Sequence, residues 1–192
     1  MTARKPVSHF CSAPSKDFVP MSIRNLDAVF NPRSIALIGA SQRPHSVGAV
    51  LARNLMQGGF AGALAFVNAK GGSIEGRAVF TSIDAISAAP DLAVIATPPE
   101  TVPGLIAKLG ARGTRAAVVI TAGFGELGAE GLKLQQAVLD AAKPYLLRIV
   151  GPNCVGILSP HAGVNASFAH VAPKRGGLAL LTQSGAMLTG IL

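Results

Sequence analysis

Short aliphatic runs alternate with stretches of helical periodicity along most of the chain. The apolar runs predict buried strands at residues 34–39, 63–67, 92–96, 116–121 and 146–150. Apolar positions at helical spacing predict helices at residues 26–30, 47–57, 83–88, 101–111 and 130–142. Strands separated by helices at this spacing are typical of βαβ units with right-handed crossovers. The pattern therefore predicts an α/β fold with a doubly wound parallel sheet, for which we expect the strand order 3-2-1-4-5.

The two ends of the chain depart from this alternation. Residues 1–21 are polar, mixed and without periodicity, and we expect them to form a disordered leader. Residues 177–181 and 184–192 predict one more strand and one more helix. We therefore expect a main domain at residues 22–172, followed at 173–192 by the first strand and helix of a second, incomplete domain.

The amino-acid composition restricts both the class of protein to which this chain belongs and its location in the cell. Hydrophobic residues make up 49% of the 192 residues and charged residues 14%, which excludes global disorder. No apolar run approaches the ~18 residues that cross a bilayer, so we expect no membrane partner. Cys11 and Cys154 are the only cysteines, which argues against a disulfide framework and favours a cytoplasmic location.

The charge pattern indicates the kind of ligand. A net charge of +8 favours anionic partners. The basic residues are scattered and no aromatic residues are interleaved with them, so we expect no nucleic acid. A phosphorylated small molecule fits this charge pattern better than a nucleic acid does. The four histidines and two cysteines show no metal-ligand spacing, so we predict no metal site.

The loop after the first predicted strand contains candidate phosphate contacts. They are a turn glycine, two hydroxyls, a cation and the first amides of a helix: Gly39, Ser41, Arg43, Ser46, Val47 and Gly48. The positive end of a helix dipole favours a pyrophosphate at such a place. An ordinary βα turn with a serine N-cap is the alternative interpretation.

The residues after the second predicted strand bear on the choice of cofactor. An NAD site places an acidic residue there to bind the ribose hydroxyls. This chain has Lys70 instead, which favours a ribose with an extra phosphate. Coenzyme A and NADP both have such a phosphate. In the alternative interpretation, Lys70 is a solvated loop lysine that binds no cofactor. The charge alone leaves CoA binding and an NADP-dependent oxidoreductase module both open.

Six landmarks occur in a fixed order along the chain. They are residues 34–41 (SIALIGAS), 46–48 (SVG), 68–72 (NAKGG), 96–99 (ATPP), 120–124 (ITAGF) and 151–156 (GPNCVG). With them, residues 22–192 resemble the CoA-binding domain of the succinyl-CoA synthetase α subunit and of NDP-forming acyl-CoA synthetases. The resemblance implies a Rossmann-like fold and CoA or acyl-CoA as the cofactor.

Four further stretches, at residues 31–41, 53–62, 164–168 and 177–184, resemble Pat-type protein lysine acetyltransferases more closely. Those proteins join an acyl-CoA-synthetase-like region to a GNAT domain. The resemblance implies further ligase, ATP-grasp or GNAT domains in a full-length protein. It assigns no catalytic residue to this chain, which we expect to be inactive alone. The apolar residues near its end predict some self-association.

The resemblance also implies a path for CoA along the chain. Ser41, Ser46 and Val47 would hold phosphates, and Lys70 the ribose phosphate. The remaining implied contacts are Pro98 at the adenine, Ile120, Thr121 and Ala122 along the pantetheine arm, and Asn153 near the thiol. Cys154 has no base placed beside it, so we interpret it as a small buried residue rather than a nucleophile.

Overall fold

The computed structural model describes residues 23–192, so the expected leader lies outside the described residues. The helices are α1 (Leu26–Phe30), α2 (Val47–Gln57), α3 (Val102–Arg112), α4 (Ala129–Ala142) and α5 (Gly185–Ile191). The strands are β1 (Ser34–Ile38), β2 (Ala63–Val67), β3 (Ser73–Ile74), β4 (Arg77–Phe80), β5 (Leu92–Ile95), β6 (Ala116–Val119), β7 (Arg148–Val150), β8 (Gly156–Ser159) and β9 (Val164–Ser167). The helix predicted at residues 83–88 is a 3-10 turn at Ile83–Ala85.

The central sheet of the described chain has the order β3-β4-β2-β1-β5-β6-β7. Its strands run parallel except for the β3–β4 hairpin, which confirms the predicted α/β class. The predicted strand order is wrong, because the five predicted strands stand as 2-1-3-4-5. The unpredicted strand β4 pairs with the outer edge of β2, so β5 pairs with β1 instead.

Side chains of the buried strands alternate between two apolar layers. In β5, Leu92 and Val94 belong to the layer that contains α2, whereas Ala93 and Ile95 belong to the layer that contains α3. Full burial of such side chains stabilises the fold by roughly 1.5–3 kcal/mol each. The helices that follow β1 and β5 therefore cover opposite faces of the sheet.

Ion pairs join the amino ends of the strands. Arg115 contacts Asp91 at 3.0 Å and Asp27 at 2.9 Å, which ties α1 to the sheet. Burial raises the pKa of Asp91, but hydrogen bonds from the Arg33 amide and from Arg115 more than offset this, so the pKa is lowered. Asp91 therefore stays ionised and holds this edge of the sheet together.

The last part of the chain departs from the prediction. Residues 177–181 form no strand in the described structure, and the side chains of Leu178 and Leu181 are 101% and 98% exposed. The predicted helix at 184–192 is present as α5, where the Ser184 hydroxyl accepts a hydrogen bond from the Met187 amide at 3.2 Å. Within residues 23–192 no helix has both the length and the apolar character to span a membrane.

Candidate cofactor-binding site

A cleft of about 640 Å³ opens at the carboxyl ends of β2, β1 and β5. Asn68, Gly39 and Ala96 follow these strands and line the cleft. The helix after β1 and the helix after β5 lie on opposite faces of the sheet, so the chain connections diverge here. Open α/β sheets bind ligands at this kind of switch point.

Two glycines allow the backbone to approach itself closely beside the cleft. Gly39 has a φ of +95°, and a Cβ atom there would lie 2.3 Å from the carbonyl oxygen of Ala96. A Cβ atom on Gly48 would lie 2.0 Å from the carbonyl oxygen of Gly39. Only glycine fits both positions, and α2 therefore begins directly against the end of β1.

The loop between β1 and α2 is organised by its own serines. The Ser46 hydroxyl accepts a hydrogen bond from the Ala49 amide at 3.3 Å and donates one to the Arg43 carbonyl at 2.7 Å. The Ser41 hydroxyl accepts from the Arg43 amide at 3.0 Å. The amides of Val47 and Gly48 stand in the first turn of α2, where a helix has no acceptor of its own. These amides, rather than the serine hydroxyls, are therefore the first groups available to an anion.

The structure places the predicted contacts in two groups. Those that line the cleft are Gly39, Ser41, Arg43, Ser46, Val47, Gly48 and Pro98. Lys70 stands outside the lining, although its neighbour Ala69 is part of it. The Lys70 amide donates to the Asn68 side-chain oxygen at 2.9 Å, and its own side chain is exposed beside the cleft.

The other predicted contacts continue along the same edge of the sheet, beyond the cleft. The Thr121 hydroxyl donates to the Thr97 carbonyl at 2.8 Å, and the Asn153 amide donates to the Thr121 carbonyl at 2.9 Å. The loops after β5, β6 and β7 are thereby connected. Ala122 is exposed on this edge, whereas Ile120 is only 6% exposed and packs into the apolar core, so it offers its backbone rather than its side chain.

Several residues that line the cleft were not among the contacts predicted from the sequence, although Asn68 and Thr97 lie in two of the landmarks. They are Asn68, Thr81, Ser82, Thr97, Thr101 and Lys108. Thr101, Leu105 and Lys108 have the spacing of one helical face, so this signal was present in the sequence of α3. Thr81 and Ser82 follow β4, a strand that the hydrophobic pattern did not reveal.

The electrostatics of the cleft favour an anion. Arg43 and Lys108 are the cationic side chains of its lining, and no Asp or Glu is among the residues described along it. One carboxylate lies just outside, where Asp84 is 3.6 Å from the Lys108 ammonium. The positive end of α2 adds to this potential.

Cys154 lies half-buried below the loop that follows β7. Its thiol donates to the Val119 carbonyl at 3.4 Å, and burial raises its pKa from 9.0 to about 11. The thiol is therefore protonated at neutral pH, which agrees with a structural role. No group of His, Cys, Asp and Glu side chains that could hold a metal ion was found among residues 23–192.

We expect Cys154 to alkylate slowly in the folded chain. At pH 8, iodoacetamide should modify it about a hundredfold more slowly than in the urea-unfolded chain, because two pKa units remove most of the thiolate. The rate should rise as the pH approaches the folded pKa of about 11. Peptide mapping separates Cys154 from Cys11. Equal rates in the folded and unfolded chains would contradict the protonated, half-buried thiol.

Comparison with known proteins identifies the family. The protein-family model described as "CoA binding domain" matches residues 33–160. The α subunit of ADP-forming acetate–CoA ligase I from Pyrococcus furiosus is 41% identical over 167 residues, which cover 85% of this chain and 36% of the relative. The ADP-forming acetate–CoA ligase of Methanocaldococcus jannaschii is 40% identical over 161 residues, which cover 84% of this chain and 22% of the relative.

A solved structure has the same fold. The dinucleotide-forming acetyl-coenzyme A synthetase 1 of Ca. Korarchaeum cryptofilum, in complex with phosphate and ADP, matches with a TM-score of 0.81 at 34% identity. The match covers 87% of this chain and 36% of that one. The matches thus cover between 22% and 36% of the length of these relatives. This chain belongs to the CoA-binding domain family, in the form found in α subunits of ADP-forming acetyl-CoA synthetases within the succinyl-CoA synthetase-like superfamily.

Proposed function

We propose that this domain holds CoA or acyl-CoA in the cleft for an NDP-forming acyl-CoA synthetase reaction that other domains complete. One observation carries the proposal. The cleft at the carboxyl ends of β2, β1 and β5 is lined both by the free amides at the start of α2 and by two cationic side chains, Arg43 and Lys108. That arrangement suits the pyrophosphate of a nucleotide cofactor.

The cofactor would lie along the carboxyl edge of the sheet. Its pyrophosphate would contact the amides of Val47 and Gly48, with Arg43 nearby. Its adenine would lie against Pro98, and Lys70 would reach the ribose phosphate from outside the lining. The pantetheine arm would follow the loop of residues 120–122 towards Asn153. The hydrogen bonds that join Thr121 to Thr97 and to Asn153 along this edge support this path.

The chemistry would come from other domains. No His, Cys, Asp or Glu is among the residues described along the cleft, and the Cys154 thiol is protonated. Ligase and ATP-grasp domains would make the protein a synthetase, whereas a GNAT domain would make it a Pat-type acetyltransferase. We propose the synthetase, in the cytoplasm, because the matching relatives named above are acetate–CoA ligases and an acetyl-CoA synthetase.

The chain after residue 172 fits the start of a second domain. The family match ends at residue 160, before this segment. Leu178, Leu181 and Met187 expose much of their apolar surface to solvent, which is unusual for a segment that packs only on its own domain. We propose that residues 173–192 pack against a following domain, or against a second copy of this chain where no such domain is present.

Thermal unfolding with added ligands tests the binding of CoA. A ligand at a hundredfold excess over its Kd stabilises the native state by about 2.7 kcal/mol. For a chain of this size the Tm should rise by roughly 5–10 °C with CoA. Dephospho-CoA should give a smaller shift, because it lacks the ribose 3′-phosphate.

NADP⁺ is the control ligand in this experiment, since it has an adenosine, a pyrophosphate and an extra phosphate without the pantetheine arm. We expect it to raise the Tm by less than CoA does, because it makes no contact along the path of the pantetheine arm. A shift with NADP⁺ that equals or exceeds the shift with CoA would contradict the proposal and favour an oxidoreductase module.

A further inference from the structure

Lys108 is the lysine that the structure places in the lining of the cleft. It lies on the same helical face of α3 as Thr101 and Leu105, which line the same wall. Its side chain is 64% exposed, so its ammonium is free to move towards a ligand. Lys70, which the sequence favoured for this role, lies outside the lining.

The partner of Lys108 holds it only weakly. Its ammonium is 3.6 Å from the Asp84 carboxylate, and the Asp84 side chain is itself 60% exposed. An exposed ion pair of this kind contributes little free energy to stability, because water screens the two charges and both side chains lose conformational freedom. A phosphate with a charge near −2 and three acceptor oxygens therefore competes well for the same ammonium.

We propose that Lys108 is a further specificity-determining residue that binds the ribose phosphate of CoA from within the lining, in addition to Lys70, and that Asp84 competes with this phosphate. The inference rests on the proposed function, since it assumes that the adenosine end of CoA lies between α3 and the loop after β4. Thr81, Ser82 and Ile83 form the other wall there. Asp84 lies next to that wall, so its negative charge opposes the arriving phosphate and keeps the affinity moderate.

Titration calorimetry with the 192-residue chain tests both residues. Lys108→Gln should weaken CoA binding about tenfold, on the scale of a charge-assisted hydrogen bond at an exposed site. It should change the Kd for dephospho-CoA by less than about twofold, because that ligand lacks the phosphate. Asp84→Asn should act in the opposite direction and tighten CoA about threefold, with no effect on dephospho-CoA.

Lys133→Gln is the matched control. Lys133 is also an exposed lysine paired with a carboxylate, Glu130, at 2.6 Å, but it lies on α4 away from the cleft. This variant should bind both ligands as the parent chain does. Circular dichroism confirms that each variant is folded.

The outcomes separate this inference from the proposed function. If the parent chain does not bind CoA, the proposed function falls. If the parent chain binds CoA but Lys108→Gln weakens both ligands equally, or leaves the CoA affinity unchanged, Lys108 does not read the phosphate. If Asp84→Asn fails to tighten CoA, Asp84 does not compete for Lys108 and that half of the proposal is overturned.

Discussion

Gly48→Ala should destabilise the chain by about 3 kcal/mol, the upper part of the range for overpacking, and should remove most of its affinity for CoA. The new Cβ atom would lie 2.0 Å from the Gly39 carbonyl oxygen and 3.3 Å from the Ser41 Cβ atom. The first of these atoms belongs to the backbone, which cannot rotate away, so α2 must shift from β1. The Tm should fall by roughly 6–12 °C. CoA should bind at least about tenfold more weakly, because the amides of Val47 and Gly48 move with the helix.

Gly104→Ala is the matched control for this prediction. Gly104 also lies near the start of a helix, α3, but a Cβ atom there would meet nothing within 4 Å. Alanine should therefore stabilise the chain by about 0.5–1 kcal/mol, the intrinsic helix preference over glycine. Thermal unfolding and CoA titration of the two variants give the comparison. A Gly48→Ala chain with the Tm and affinity of the parent would show that α2 does not depend on this contact.

The fold class could be predicted from the sequence because the buried strands leave a strong pattern. β2 and α2 have the bounds that periodicity predicts, at residues 63–67 and 47–57. The central strand β5 is aliphatic and buried on both faces, as in a parallel sheet covered by helices. The order of the strands leaves no such local pattern, since a right-handed crossover can bring the next strand to either edge.

The hairpin of β3 and β4 decided the order. Glu75 and Gly76 both have positive φ, 46° and 77°, which is the conformation of a two-residue turn of type I′. Its strands are only two and four residues long, too short for an alternating pattern to stand out. β4 pairs with the edge of β2 that faces away from β1, so β5 pairs with the other edge of β1. This pairing depends on residues far apart in the sequence.

The loop side of the site could be predicted, but the helix side could not. The phosphate loop is contiguous in sequence, so Ser41, Ser46 and Gly48 point to it together. Lys108 reaches the cleft from α3, and only the packing of α3 beside the turn at Ile83–Ala85 brings it there. A sequence shows which face a residue occupies on its helix, but not which neighbour that face meets.

The strand predicted at residues 177–181 failed for a related reason. An apolar run forms a strand only where another edge can pair with it, and β7 ends the sheet of the described chain without receiving it. Leu178 and Leu181 consequently stand almost fully exposed. The same run therefore contributes apolar surface to solvent instead of a strand to the sheet.

Replacing both leucines, Leu178→Ser with Leu181→Ser, should convert a self-associating chain into a monomer. Their side chains are 101% and 98% exposed, and association would remove that surface from water. Burial of a leucine is worth roughly 1.5–3 kcal/mol, so two per copy suffice to shift a weak equilibrium. Light scattering across a concentration series should give the parent chain a mass that rises above 19.5 kDa, and should give the variant that monomer mass throughout.

A second double variant, Leu127→Ser with Leu146→Ser, is the control. These leucines are 71% and 57% exposed, but Leu127 precedes α4 and Leu146 follows it, so the two do not belong to one exposed run. This control should associate like the parent. Both double variants should bind CoA with the parent affinity, because none of the four leucines lines the cleft. A parent chain that stays at 19.5 kDa at every concentration would show that the exposed run does not bring two copies together.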